Sequence, residues 1–93
     1  MLIYPVLAGS IDVEGGSDEL VNTYKTYKSA HDSAMDEARK EAVGMTNDSG
    51  AQYMVTSIAA AFGNTARITV HPADQDPEWA EFWWTIQEVE LLD

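Results

Sequence analysis

The sequence predicts an α+β fold, a small antiparallel sheet of about four strands in the order β-β-α-α-β-β, with one or two helices on one face. Three observations carry that reading. The first residues alternate apolar positions in period two, the middle of the chain repeats small and apolar residues at helical spacing, and the end packs three tryptophans into six residues. Ninety-three residues suit one domain, 1–93, large enough for a modest core if its aromatics are inside.

Leu2–Val13 reads as a strand, with Ile3, Leu7, Ile11 and Val13 on one face. Pro5 cannot donate to a ladder, so the strand belongs at an edge or turns its missing N–H outward. Gly9 marks a bulge, and Gly15-Gly16-Ser17-Asp18 a turn. Residues 19–27 read as the second strand of a hairpin, rich in Val, Thr and Tyr. A long helix capped by Ser17 is the alternative. A helix follows at about 30–43, opened by Ser29-Ala30-His31-Asp32 and closed by Gly44, with Ala30, Ala34, Met35, Ala38 and Ala42 buried.

Ser49–Gln52 has the form of a second capping box. Ala51, Met54, Val55, Ile58, Ala61 and Phe62 then follow the helical period, so a second helix is expected over 51–62. A strand at 53–60 is the competing reading. Ala66–Val70 is a short strand ended by His71-Pro72, and a polar connection follows. Asp76-Pro77-Glu78 opens at most one helical turn. Phe82–Leu91 is the closing strand, pairing the first hairpin or the third strand, with Trp83 and Trp84 on opposite faces.

The hairpin, the helix and the closing Ile86–Leu91 run, IQEVEL, make the chain similar to small phage and bacterial proteins built as hairpin, helix and a strand ending in I-x-E-V-E-L. The likeness covers the first 43 residues and the last ten, and it implies a fold but no catalytic residues. In size and acidity the chain also resembles phage-encoded inhibitors, including anti-CRISPR proteins and DNA mimics. That second resemblance rests on composition.

The net charge of −11 is unevenly placed. Asp12, Glu14, Asp18 and Glu19 face no base within residues 1–24. Five acids balance all five bases in 25–67, and seven acids stand alone in 68–93. Direct binding to nucleic acid or to an anionic membrane is therefore not expected, since phosphate needs a basic surface. A basic, nucleic-acid-binding protein or complex is the expected partner. Its contacts would be Asp12, Glu14, Asp18 and Glu19 from the first turn, and Asp74, Asp76, Glu78, Trp79 and Glu81 from the last connection.

Trp83 and Trp84 point to opposite faces, so either helices, loops or a second subunit cover both faces, or one of Trp79, Trp83 and Trp84 is exposed beside Glu78 and Glu81, where an aromatic ringed by acids suits an interface. The alternative is a structural protein forming a homodimer through its tryptophan-bearing strand. No enzyme, cofactor or metal is expected. His31 reads as a surface or half-buried histidine and His71 as a surface one. Asp74-x-Asp76-x-Glu78 lacks the glycine and the bidentate glutamate of a calcium loop, and there is no cysteine. The first residues lack a signal-peptide pattern, so a cytoplasmic location is expected, in a host cell if the chain is phage-encoded.

Overall fold

The computed structural model describes residues 1–11, 18–60 and 65–92. Its long helix, α1, spans Tyr27–Ser49. The Thr26 side chain caps it, accepting the Ser29 N–H at 3.1 Å. Gly50 ends it with φ at 75°, a left-handed position that suits glycine, and donates its N–H to the Thr46 carbonyl at 3.0 Å. The helix thus starts one turn before the Ser29 signal and runs past Gly44. It continues because Met45 packs on the core and the Thr46 hydroxyl bonds backward to the Ala42 carbonyl and accepts the Tyr53 N–H. The buried stripe is the expected one, Ala30, Ala34, Ala38 and Ala42, with Met35 half-buried. Alanines bring the helix axis close to the sheet.

Among the described residues the antiparallel sheet has six strands: β1 Leu2–Ser10, β2 Glu19–Tyr24, β3 Tyr53–Ala59, β4 Ala66–Pro72, β5 Phe82–Ile86 and β6 Val89–Glu90. The order across it is β2-β1-β5-β4-β3, with β6 paired to β1. The α+β class, the antiparallel sheet and the helix on one face are as expected, but the second helix is not. Residues 53–59 form a strand along β4, from Tyr53 opposite Pro72 to Ala59 opposite Ala66. Met54 and Ile58, which a helix would bury, are 43% and 50% exposed. The physical reason is tertiary, because α1 already covers the core face and the free edge of β4 needs a hydrogen-bonding partner.

β5 is the central strand. It pairs with both β1 and β4, so the closing strand joins the first hairpin to the rest of the sheet. β5 and β6 are a single run in one register. Val6 faces Ile86, Ile3 faces Val89 and Leu2 faces Glu90, and the backbone bonds Gln87 N–H to Pro5 O and Leu91 N–H to Met1 O fall in step. Pro5 is the interruption. Its carbonyl accepts from Gln87 on the β5 side, so its missing N–H faces inward along that same ladder. The expectation that Pro5 marks an edge or points outward is therefore corrected, since β1 lies between β2 and β5.

Gly9 is not a bulge either. The irregularity lies between Val6 and Leu7 in the pairing with β2. A Cβ on Gly9 would stand 2.5 Å from Trp83 Nε1 and 2.8 Å from its Cε2, so the glycine makes room for the indole to cross the strand.

The face under α1 holds Tyr4, Val6, Ile68, Val70, Trp84 and Ile86, with Tyr53 and Val55 packed beside them. Trp83, Arg67, Thr69 and His71 alternate with these and fall on the opposite face. There the short Pro77–Trp79 turn lies against β4. Thr69 and His71 are consequently buried, which corrects the reading of His71 as a surface residue. Its Nδ1 is 2.9 Å from the Pro72 carbonyl, which can only accept, so Nδ1 carries the proton. In the neutral ring Nε2 then accepts a hydrogen bond from the Thr56 hydroxyl at 2.7 Å, and the ring is a satisfied structural group.

Candidate functional site

The acidic segments lie at the same end of the sheet. β1 ends and β5 begins there, with Ser10 opposite Phe82 and the Ile11 N–H bonded to the Glu81 carbonyl at 3.1 Å. β2 begins at the same end, Glu19 opposite Ala8, and β4 finishes there at Pro72. Asp18, Glu19 and the Ala73–Glu81 connection therefore leave the sheet together. Trp83 ties the two sides, its indole N–H donating to Asp18 Oδ1 at 3.1 Å across Gly9. Asp12 and Glu14 lie outside the described residues.

Glu19, Asp74, Asp76 and Glu78 are exposed, and Asp18 and Glu81 are half-buried. Among the described residues none of the six is in an ion pair. Three of the bases are instead matched along α1: Lys28 with Asp32 at 2.7 Å, Arg39 with Asp36 at 3.7 Å and Lys40 with Glu37 at 3.8 Å. The Lys28 hydrogen bond holds the Asp32 carboxyl below its ordinary pKa, and the same contact raises Lys28. At the acidic end the phenol of Tyr53 is pushed above its ordinary value, first by hydrogen bonding to the Glu81 carboxylate, then by desolvation and by the charges of Glu81 and Asp74.

Trp79 is the exposed tryptophan, at 67%, and with Ala73, Asp74, Gln75 and Asp76 it lines a shallow depression of about 480 Å³. Trp84 is buried in the core. Both edges of the tryptophan-bearing β5 are taken by β1 and β4, so an oligomer using that strand would have to use the helix-free face. There Trp83 is half-buried, with the Arg67 guanidinium 5.2 Å from its ring centre.

Reading the sequence missed this Arg67–Trp83 pair and the hollow beside it, about 650 Å³ between Ile58, Arg67 and Thr69 on the sheet and Asp76, Pro77 and Glu78 on the turn. Only the β4–β5 register, which sets Thr69 opposite Trp83, places Arg67 within reach of the indole. His31 is half-buried with Nε2 3.0 Å from the Ser57 hydroxyl and its ring 5.8 Å from Tyr27. Among the described residues no group of three or more His, Asp or Glu side chains is placed to hold a metal ion, and no helix is long and apolar enough to cross a membrane. Comparison with protein-family models, curated proteins and solved structures finds no match to this chain.

Proposed function

We propose that the chain is a non-enzymatic acidic binding protein that docks the loop end of its sheet onto a basic surface of a nucleic-acid-binding protein or complex. The carboxylates take the places of phosphates, and the outcome is inhibition, as with the phage-encoded anti-CRISPR and DNA-mimic proteins that the composition resembles. One observation supports this reading above the rest. Exposed carboxylates without an ion-pair partner among the described residues gather around an exposed tryptophan, while three of the bases are matched along the helix. Such a surface speeds encounter with a basic partner and makes binding salt-dependent. Trp79 supplies the apolar anchor that charge alone lacks.

The test is capture from a host-cell lysate on the immobilised protein at low salt, with elution by salt. Nucleic-acid-binding proteins are expected in the eluate, displaced by added DNA or RNA. The triple variant Asp74→Lys, Asp76→Lys, Glu78→Lys is expected to weaken capture by more than about tenfold, and Trp79→Ala by about tenfold. Affinity that stays the same between low and moderate salt, or that survives the triple reversal, sinks the proposal.

A further inference from the structure

The two rims of the sheet differ in kind. β2 carries Glu19, follows Asp18, runs on to Lys25, and its pairing is broken opposite Val6 and Leu7. Charge and irregularity are the devices that keep an edge from pairing. β3, YMVTSIA, has no charged residue, no proline and no glycine, and its register on β4 is unbroken. In a chain of net charge −11 this is a rim with no repulsion of its own.

The direction of its backbone groups follows from the ladder. The Ala73 N–H donates to the Gln52 carbonyl at 2.9 Å and the Ala60 N–H to the Thr65 carbonyl at 3.0 Å, so even-numbered residues face β4. Odd-numbered ones face away from it. Tyr53 agrees, since its N–H turns to Thr46 Oγ1 at 3.0 Å. The N–H and C=O groups of Val55, Ser57 and Ala59 are left at the rim, where Ser57 and Ala59 are exposed.

We propose that β3 pairs antiparallel with β3 of a second copy of this chain, about a two-fold axis through Ser57. In this register Val55 lies opposite Ala59 of the second copy, and the two Ser57 residues lie opposite each other. Each outward-facing pair exchanges two backbone hydrogen bonds, about six in all. No other register centred on an outward-facing residue brings all three into pairs. On the helix-free face Ile58, half exposed in one copy, gains Thr56 of the second copy as its cross-strand neighbour. On the helix side the Ser57 hydroxyl meets His31, and the charges nearby, Lys28 with Asp32 and Asp36 with Arg39, already offset one another. Two copies therefore meet through uncharged strand residues, with Arg67 beside Ile58 and the Asp76–Glu78 turn flanking them on the helix-free side.

Sedimentation velocity over a range up to sub-millimolar protein, joined to amide hydrogen exchange, tests the pairing. The expected result is a dimer in which the Val55, Ser57 and Ala59 amides exchange more slowly as concentration rises, while those of β2 do not change. Ser57→Pro removes the central outward N–H, which an edge strand tolerates within one copy, and is expected to weaken the dimer about tenfold or more. Should that variant lose its circular dichroism, Ile58→Lys serves instead, with the same loss expected. Leu20→Lys on β2 is expected to leave the dimer intact. A protein that is monomeric throughout, a dimer that Leu20→Lys breaks, or one whose β3 amides exchange unchanged overturns the proposal. The acid-reversal triple variant leaves β3 intact, so failure here is separable from failure of the binding function.

Discussion

Gly9 and Gly44 show how one residue type answers to two environments. At Gly9 a side chain would displace the Trp83 indole and its bond to Asp18. Gly9→Ala is therefore expected to lower stability by about 1–3 kcal/mol, read from urea unfolding. Gly44 sits in the interior of α1 with open space around it. Gly44→Ala is expected to act in the opposite direction, by about 0.5–1 kcal/mol. Tyr53 carries a pH dependence. Its folded-state pKa is raised above the ordinary 10.0, chiefly by the Glu81 carboxylate, so the protonated phenol favours the folded state. That contribution is complete below about pH 10 and is lost as pH rises through the folded value. Tyr53→Phe is expected to flatten the alkaline fall in the urea midpoint. An unchanged slope would show that another group governs it.

At the scale of elements, α1 and β3 show what periodicity can and cannot say. The alanine stripe of α1 was legible because a helix turns Ala30, Ala34, Met35, Ala38 and Ala42 to one side, whereas a strand would turn Met35 to the other. Ala38 is fully buried in that stripe between helix and sheet. Ala38→Leu is expected to cost about 1–3 kcal/mol by forcing them apart, measured by urea unfolding. β3 carries a helical period too, yet its Tyr, Val, Thr and Ile also suit a pleated surface. Local pattern leaves the two readings near balance, and the free edge of β4 decides between them. The hairpin, the closing strand and the split of Trp83 from Trp84 were legible for the reason that α1 was, since alternation survives folding unchanged. Burial of His71 was not, because it depends on elements remote in sequence, Thr56 of β3 and the turn against β4.

Across the whole molecule the charge is sorted by position. The bases of α1 are matched within it, and six carboxylates that enter no ion pair among the described residues, Asp18, Glu19, Asp74, Asp76, Glu78 and Glu81, lie at the end of the sheet where β1 finishes and β5 begins. Reversal of Asp74, Asp76 and Glu78 relieves like-charge repulsion there, so the triple variant that loses its partner is expected to unfold no earlier than the wild type. Thermal unfolding at low salt checks this, and a fall of more than a few degrees would mean that these acids support the fold. The amino-acid order alone determined the α+β class, the helix and its buried face, the strand character of Phe82–Ile86 and Val89–Glu90 and the separation of acid from base along the chain. Each is a property of neighbours within a few residues, where periodicity and composition act. Tertiary structure alone decided the central place of β5, the inward N–H gap at Pro5, the strand at 53–59, the Arg67–Trp83 contact and the placing of Asp18 and Glu19 at the same end of the sheet as Asp74–Glu81. Those depend on register between strands far apart in sequence, which hydrogen-bond pairing sets and no local pattern encodes.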